Sequence, residues 1–144
     1  MQDLPHHYLA SARAKNEGTV IVSSEGLPDI ETAGPAQFGG PGDLWSPEDM
    51  LVASIANCLI LSFRAIARAA KIEWLKLECE AEGELDKVEK LTQFVGFRIK
   101  AKLTIPAGTD RQKAGVILEK AEKYCLITNS LKATPHLETE VVVG

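Results

Sequence analysis

The sequence has no CxxC pair, no HExxH and no two histidines at metal-ligand spacing. His6 and His7 stand side by side near the start, and His136 stands alone beside Pro135. A zinc centre needs several such ligands converging, so none is expected here, and no other cofactor is implied. A hydrolytic triad needs a histidine within reach of a nucleophile, and none of the three has that context. The glycine-rich stretch Gly39-Gly40-Pro41-Gly42 lacks both the lysine and the GxGxxG spacing of a phosphate cradle. Basic charge is scarce too. A net charge of −4 leaves no positive patch of the kind that binds nucleic acid. No charged-then-apolar segment opens the chain, so no secretory signal is expected. Three cysteines are an odd number for a protein without an export signal, which argues for reduced thiols in the cytoplasm and against a disulfide framework.

What is present is one long apolar run. Ser46 is a natural N-cap, Pro47 sits where a missing N–H costs nothing, and Asp49 can answer the cap. From Met50 to Phe63 the polar interruptions are only Ser54, Asn57, Cys58 and Ser62, so the run predicts a central helix covered by protein on nearly all sides. A membrane span wants about 20 uninterrupted apolar residues, and Arg64 and Arg68 arrive first, so no membrane partner is expected.

On either side the period is that of strands. Tyr8–Ala14, Thr19–Val22 and Pro28–Thr32 read as three short strands divided by glycine turns. After the helix, Leu75, Leu77, Cys79 and Ala81 alternate with charged residues, and the run Val95 to Ile105 does the same. Asp86 to Lys90 is the expected turn between them. Glutamates on one strand and basic residues on its neighbour favour an antiparallel hairpin. Thr109 or Asp110 can cap a second helix carrying Ala114, Ile117, Leu118 and Ala121, and His136–Val143 closes as a strand. The order is βββ-α-ββ-α-β, an α+β class, with residues 1–144 forming a single domain.

Chemistry, if any, rests with the thiols. Cys79 lies on the apolar face of a strand, where a cysteine is usually an inert small hydrophobe. Cys58 and Cys125 lie on helical elements, and Glu48 stands at the start of the helix that carries Cys58. An acid near a buried thiol raises its pKa above the free value of about 8.5 unless a cation offsets it.

Phe38-Gly39-Gly40-Pro41-Gly42, then Ser46-Pro47-Glu48-Asp49-Met50-Leu51, then Ala56-Asn57-Cys58 resemble the central signature of the OsmC/Ohr proteins, the osmotically inducible and organic hydroperoxide resistance family. Lys120 to Leu131, around Cys125, is similar to that family's second cysteine motif. The resemblance implies an OsmC-like fold, an intertwined homodimer with the long helix buried at its centre and active sites at the subunit boundary. It implies an enzyme, a peroxiredoxin-like organic hydroperoxide reductase serving as an antioxidant in oxidative stress. Cys58 would attack the hydroperoxide, Cys125 would resolve the sulfenic acid to a redox-active disulfide, and a dithiol such as a lipoylated protein would reduce it. Glu48 would hold the arginine that activates the thiol. Asn16 and Gln37 fall where the family has that arginine, and neither carries charge, so the expectation is a Cys58 pKa at or above the free value. Arg13, or Arg64 and Arg68 from a partner, are the remaining cations. The alternative is an OsmC fold retained as a small-molecule binding or redox-sensing module.

Overall fold

Strand β5 (Leu91–Ile105) is the middle of a three-stranded sheet, and its sequence explains why. Phe97, Ile99, Ala101, Leu103 and Ile105 point to one face and are all buried, while Arg98, Lys100 and Lys102 point to the other. Along one side runs β4 (Lys76–Val88), antiparallel, which sets Glu78 opposite Lys102, Glu80 opposite Lys100 and Glu82 opposite Arg98. Along the other side runs β6 (Pro135–Val143), parallel, which sets Glu138 opposite Lys100 and Glu140 opposite Lys102. One basic row is therefore flanked by two acidic rows, so opposite charges face one another across both seams.

The computed structural model describes residues 1–144 and divides into two compact units, Met1–Leu51 and Val52–Gly144. In the first, β1 (Ser11–Arg13), β2 (Val20–Ser23) and β3 (Ile30–Thr32) form an antiparallel meander. The Thr32 hydroxyl donates to the Val20 carbonyl at 2.9 Å, and the Ala33 N–H donates to the Trp45 carbonyl at 3.0 Å. A Cβ on Gly40 would run into the Gly34 carbonyl, so the loop between these strands and the helix closes only with glycine there.

Helix α1 (Pro47–Ala69) begins as the residues dictate. The Asp49 N–H donates to Ser46 Oγ at 3.0 Å, and Asp49 Oδ2 accepts from the Ser46 hydroxyl at 2.9 Å and from the Ser46 N–H at 3.2 Å. Within one chain the helix buries a single stripe, Ile55, Leu59, Phe63 and Ala67, spaced four apart. Its other apolar residues are half-covered or open; Leu61 is 54% exposed. Phe63 meets Trp74 edge-on, with ring centroids 5.3 Å apart. The second unit's core is completed by Ala114, Ile117, Leu118 and Ala121 of α2 (Arg111–Lys123), a helix that packs on β6. Of its two candidate caps, Asp110 acts, accepting from the Lys113 N–H at 3.1 Å.

The fold class is the expected α+β arrangement, and several boundaries move: β1 shortens from Tyr8–Ala14 to Ser11–Arg13, β3 from Pro28–Thr32 to Ile30–Thr32, and β5 starts at Leu91 rather than Val95. The β4–β5 turn is shorter than Asp86–Lys90: strand pairing runs to Val88 opposite Leu91, and Glu89, with φ +61°, makes the reversal. Ladder hydrogen bonds at Asp86 and Lys87 outweigh the low strand propensity that suggested a turn. A four-residue helix, α3 (Leu126–Asn129), follows α2. Replacing Ser46 with Ala removes the acceptor for the Asp49 N–H and strands a buried cap, so urea unfolding is expected to show a loss of about 1 kcal/mol.

Candidate active site

Cys58 sits at the start of the fourth turn of α1, and its sulfur is met by a turn from elsewhere in the same unit. Helix α2 ends at Tyr124, the backbone extends at Cys125 (φ −67°, ψ 115°), and α3 starts at once. The first N–H groups of a new helical turn have no partner within it. Here the Leu126 and Ile127 amides and the Cys125 thiol stand around the Cys58 sulfur and favour its ionised form. From its own helix Ser62, one turn on, places its hydroxyl 3.9 Å from the same sulfur. Cys125 is almost wholly buried and held from behind: its N–H donates to the Glu122 carbonyl at 3.1 Å, and the Thr128 hydroxyl donates to its carbonyl at 3.3 Å.

This geometry makes the two thiols unequal. For Cys58 the largest single effect is burial, which raises its pKa, but the hydrogen bonds from Cys125, the Ile127 amide, Ser62 and the Leu126 amide together outweigh it. The net result lies below the ordinary thiol value of 9.0. For Cys125 burial also leads and raises, the Thr128 amide offsets part of it, and the neighbouring Cys58 raises it further, so its pKa lies above the ordinary value. Cys58 therefore gives up its proton first, and Cys125 stays a donor beside it. The expectation that Cys58 would keep a pKa at or above the free value fails. Sequence reasoning asked for a cation, whereas short-range hydrogen bonds from neutral groups do the lowering.

The remaining candidates lie elsewhere. Glu48, in the first unit, lines a cavity of about 420 Å³ together with Val20, Val22, Thr32, Pro35 and Phe38. Its Oε1 is buried and makes no hydrogen bond. Asn16 and Gln37 are exposed, as are Arg64 and Arg68, and Arg13 pairs with Asp29 at 3.2 Å on the surface. Cys79 lies half-buried on the core face of β4, and burial pushes its thiol up to about 11. Sequence reasoning missed Ser62 and the Leu126–Ile127 amides. The four-residue step from Cys58 to Ser62 would have flagged the first. No side-chain pattern marks a backbone amide.

The model of the OsmC-like protein family matches residues 40–140. The chain belongs to that family. This OsmC-like chain is 24% identical to the uncharacterized protein YmaD of Bacillus subtilis (strain 168), over 96% of its own length and 94% of the other's. Its fold is similar to that of the OsmC-like protein VCA0330 of Vibrio cholerae, with a TM-score of 0.85 at 18% identity, covering 94% of this chain and 99% of that one. It is similar also to an organic hydroperoxide resistance protein OsmC of Legionella pneumophila, with a TM-score of 0.75 at 23% identity, covering 97% and 99%. The organic hydroperoxide resistance protein OhrB of Bacillus subtilis shares the fold at a TM-score of 0.67 and 21% identity, covering 94% and 98%.

The thiol environments predict an order of reaction. Iodoacetamide at pH 7.5 is expected to alkylate Cys58 first and Cys79 last, as read by peptide mass mapping; Cys79 reacting first would contradict the geometry. Because the folded-state pKa of Cys79 is raised from 9.0 to about 11, its contribution to stability is whole below about 9 and is lost as pH rises through 11. The stability lost between pH 8 and pH 11 is therefore expected to be smaller in Cys79→Ala than in the wild type.

Proposed function

We propose that this OsmC-like protein is a thiol peroxidase that reduces organic hydroperoxides through Cys58 and Cys125. The observation that carries the reading is the pair itself, an ionisable thiol with a protonated thiol hydrogen-bonded to it. The Cys58 thiolate attacks the terminal oxygen of ROOH; the S–O bond forms, the O–O bond breaks, and RO⁻ takes a proton to leave as the alcohol. Cys58 is then a sulfenic acid. The Cys125 sulfur displaces its hydroxyl as water, giving a Cys58–Cys125 disulfide. A dithiol, such as that of a lipoylated protein, reduces this bond and is itself oxidised to a disulfide. The two units, residues 1–144, act as one domain in this reading. The setting is cytoplasmic and soluble, where such dithiols stay reduced.

The working form in this reading is a homodimer. Ten residues of α1 separate Glu48 from Cys58, a rise of roughly 15 Å at 1.5 Å per residue. On an antiparallel pair of these helices, the carboxylate of one copy reaches the thiol region of the other. The apolar residues that α1 leaves open in one chain, Leu61 among them, supply the surface such a pairing buries. The charges at both ends of α1, Glu48 and Asp49 at the start and Arg64 and Arg68 at the end, favour a protein partner over lipid.

One observation favours a second reading. The cavity beside Glu48 is large enough for a small molecule and offers a single buried acceptor, as a binding or sensing module would. Consumption of cumene hydroperoxide with dihydrolipoamide as reductant separates the two. The expected outcome is steady turnover, loss of at least 100-fold in Cys58→Ser, and sulfinic acid at Cys58 in Cys125→Ser. One equivalent of peroxide should give a Cys58–Cys125 disulfide with Cys79 still alkylatable, and a disulfide containing Cys79 would refute the assignment. Sedimentation at micromolar concentration should give a dimer.

A further inference from the structure

We infer that Ser62 is a positioning residue whose hydroxyl, one helical turn after Cys58, hydrogen-bonds the sulfur and favours its ionised form where no cation is supplied. The inference rests on the thiol peroxidase reading for its use, though not for its test. Three facts carry it. Ser62 lies one helical turn after Cys58, and its hydroxyl stands 3.9 Å from the sulfur, within range for a sulfur hydrogen bond. The Leu126 and Ile127 amides of the α2–α3 turn act on the same thiol in the same direction, so groups from two separate elements favour its ionised form. No charged side chain is among the groups acting on it.

The surroundings leave the hydroxyl little competition. The titratable group facing Cys58 across the turn is Cys125, a donor while protonated. The charged residues of α1 itself, Glu48, Asp49, Arg64 and Arg68, make no contribution at the sulfur, and Arg64 and Arg68 are exposed. When Cys125 enters the disulfide its donor is gone, and when the disulfide is reduced it must return before Cys58 is again fully supported. Ser62 and the two amides take no part in that exchange. They favour thiolate over thiol whenever Cys58 is free, which also makes it the better leaving group when the reductant attacks the disulfide.

The test reads the Cys58 ionisation midpoint directly, as the pH dependence of iodoacetamide alkylation of the Cys58 peptide in otherwise intact protein. Ser62→Ala should raise the midpoint by about one pH unit, the size expected for one hydrogen bond to a charged group. Ser62→Thr, which keeps the hydroxyl, should restore it, whereas Ser62→Val, matched to Thr in shape, should not. A purely structural Ser62 would move thermal unfolding without separating Thr from Val in midpoint. Equal midpoints for the Thr and Val variants would overturn the inference, and this pair decides the matter even if Ser62→Ala fails to fold. A midpoint shift in a protein that consumes no hydroperoxide would support the role of Ser62 and refute the peroxidase. Turnover with an unmoved midpoint would refute Ser62 alone.

Discussion

The meeting of the Cys58 sulfur with the turn that follows α2 is the contact on which the site depends. It requires α2 to stop at Tyr124 and the backbone to extend for one residue. A new helical turn must then begin with its amides unspent. It also requires α1 to hold Cys58 and Ser62 on one face, which the Ile55-Leu59-Phe63-Ala67 stripe does by fixing the helix rotation on the core. Neither element alone makes a reactive thiol. Burial by itself would push Cys58 up, as it does Cys79.

The contrast between Cys58 and Cys79 isolates the physical cause. Both are partly buried thiols in the same unit, and desolvation acts on both. Cys79, facing inward from a strand whose amides are committed to the ladder, has burial as its only perturbation and stays protonated. Cys58 has donors within contact distance, and these outweigh the same penalty. The lowering of its pKa thus comes from neutral groups close to the sulfur. Such short-range dipoles are screened by salt far less than a distant surface cation would be.

The carboxylate of Glu48 poses the complementary problem. A buried oxygen without a hydrogen bond costs free energy, and Glu48 Oε1 has none in the single chain. With α1 burying only one stripe fully, the chain as it stands has two deficits at its central helix. The homodimer proposed above would cover the apolar surface and could bring a donor to the carboxylate.

By itself the sequence determined the local elements: the Ser46–Asp49 cap of α1, the alternation that buries one face of β5, the charge rows that set the β4–β5 register, and Asp110 at the start of α2. Each is a statement about neighbours in the chain or across one hairpin, where periodicity and capping chemistry act. The two cysteine motifs also carried the family. Only the tertiary structure decided what surrounds the Cys58 sulfur. That outcome turns on which backbone amides come near a sulfur 68 and 69 positions away in sequence, and amides are alike in every residue. A reading of side chains finds the charge it expects to be missing and infers a thiol whose pKa is not lowered. The folded chain supplies donors that carry no charge and leave no mark in the sequence.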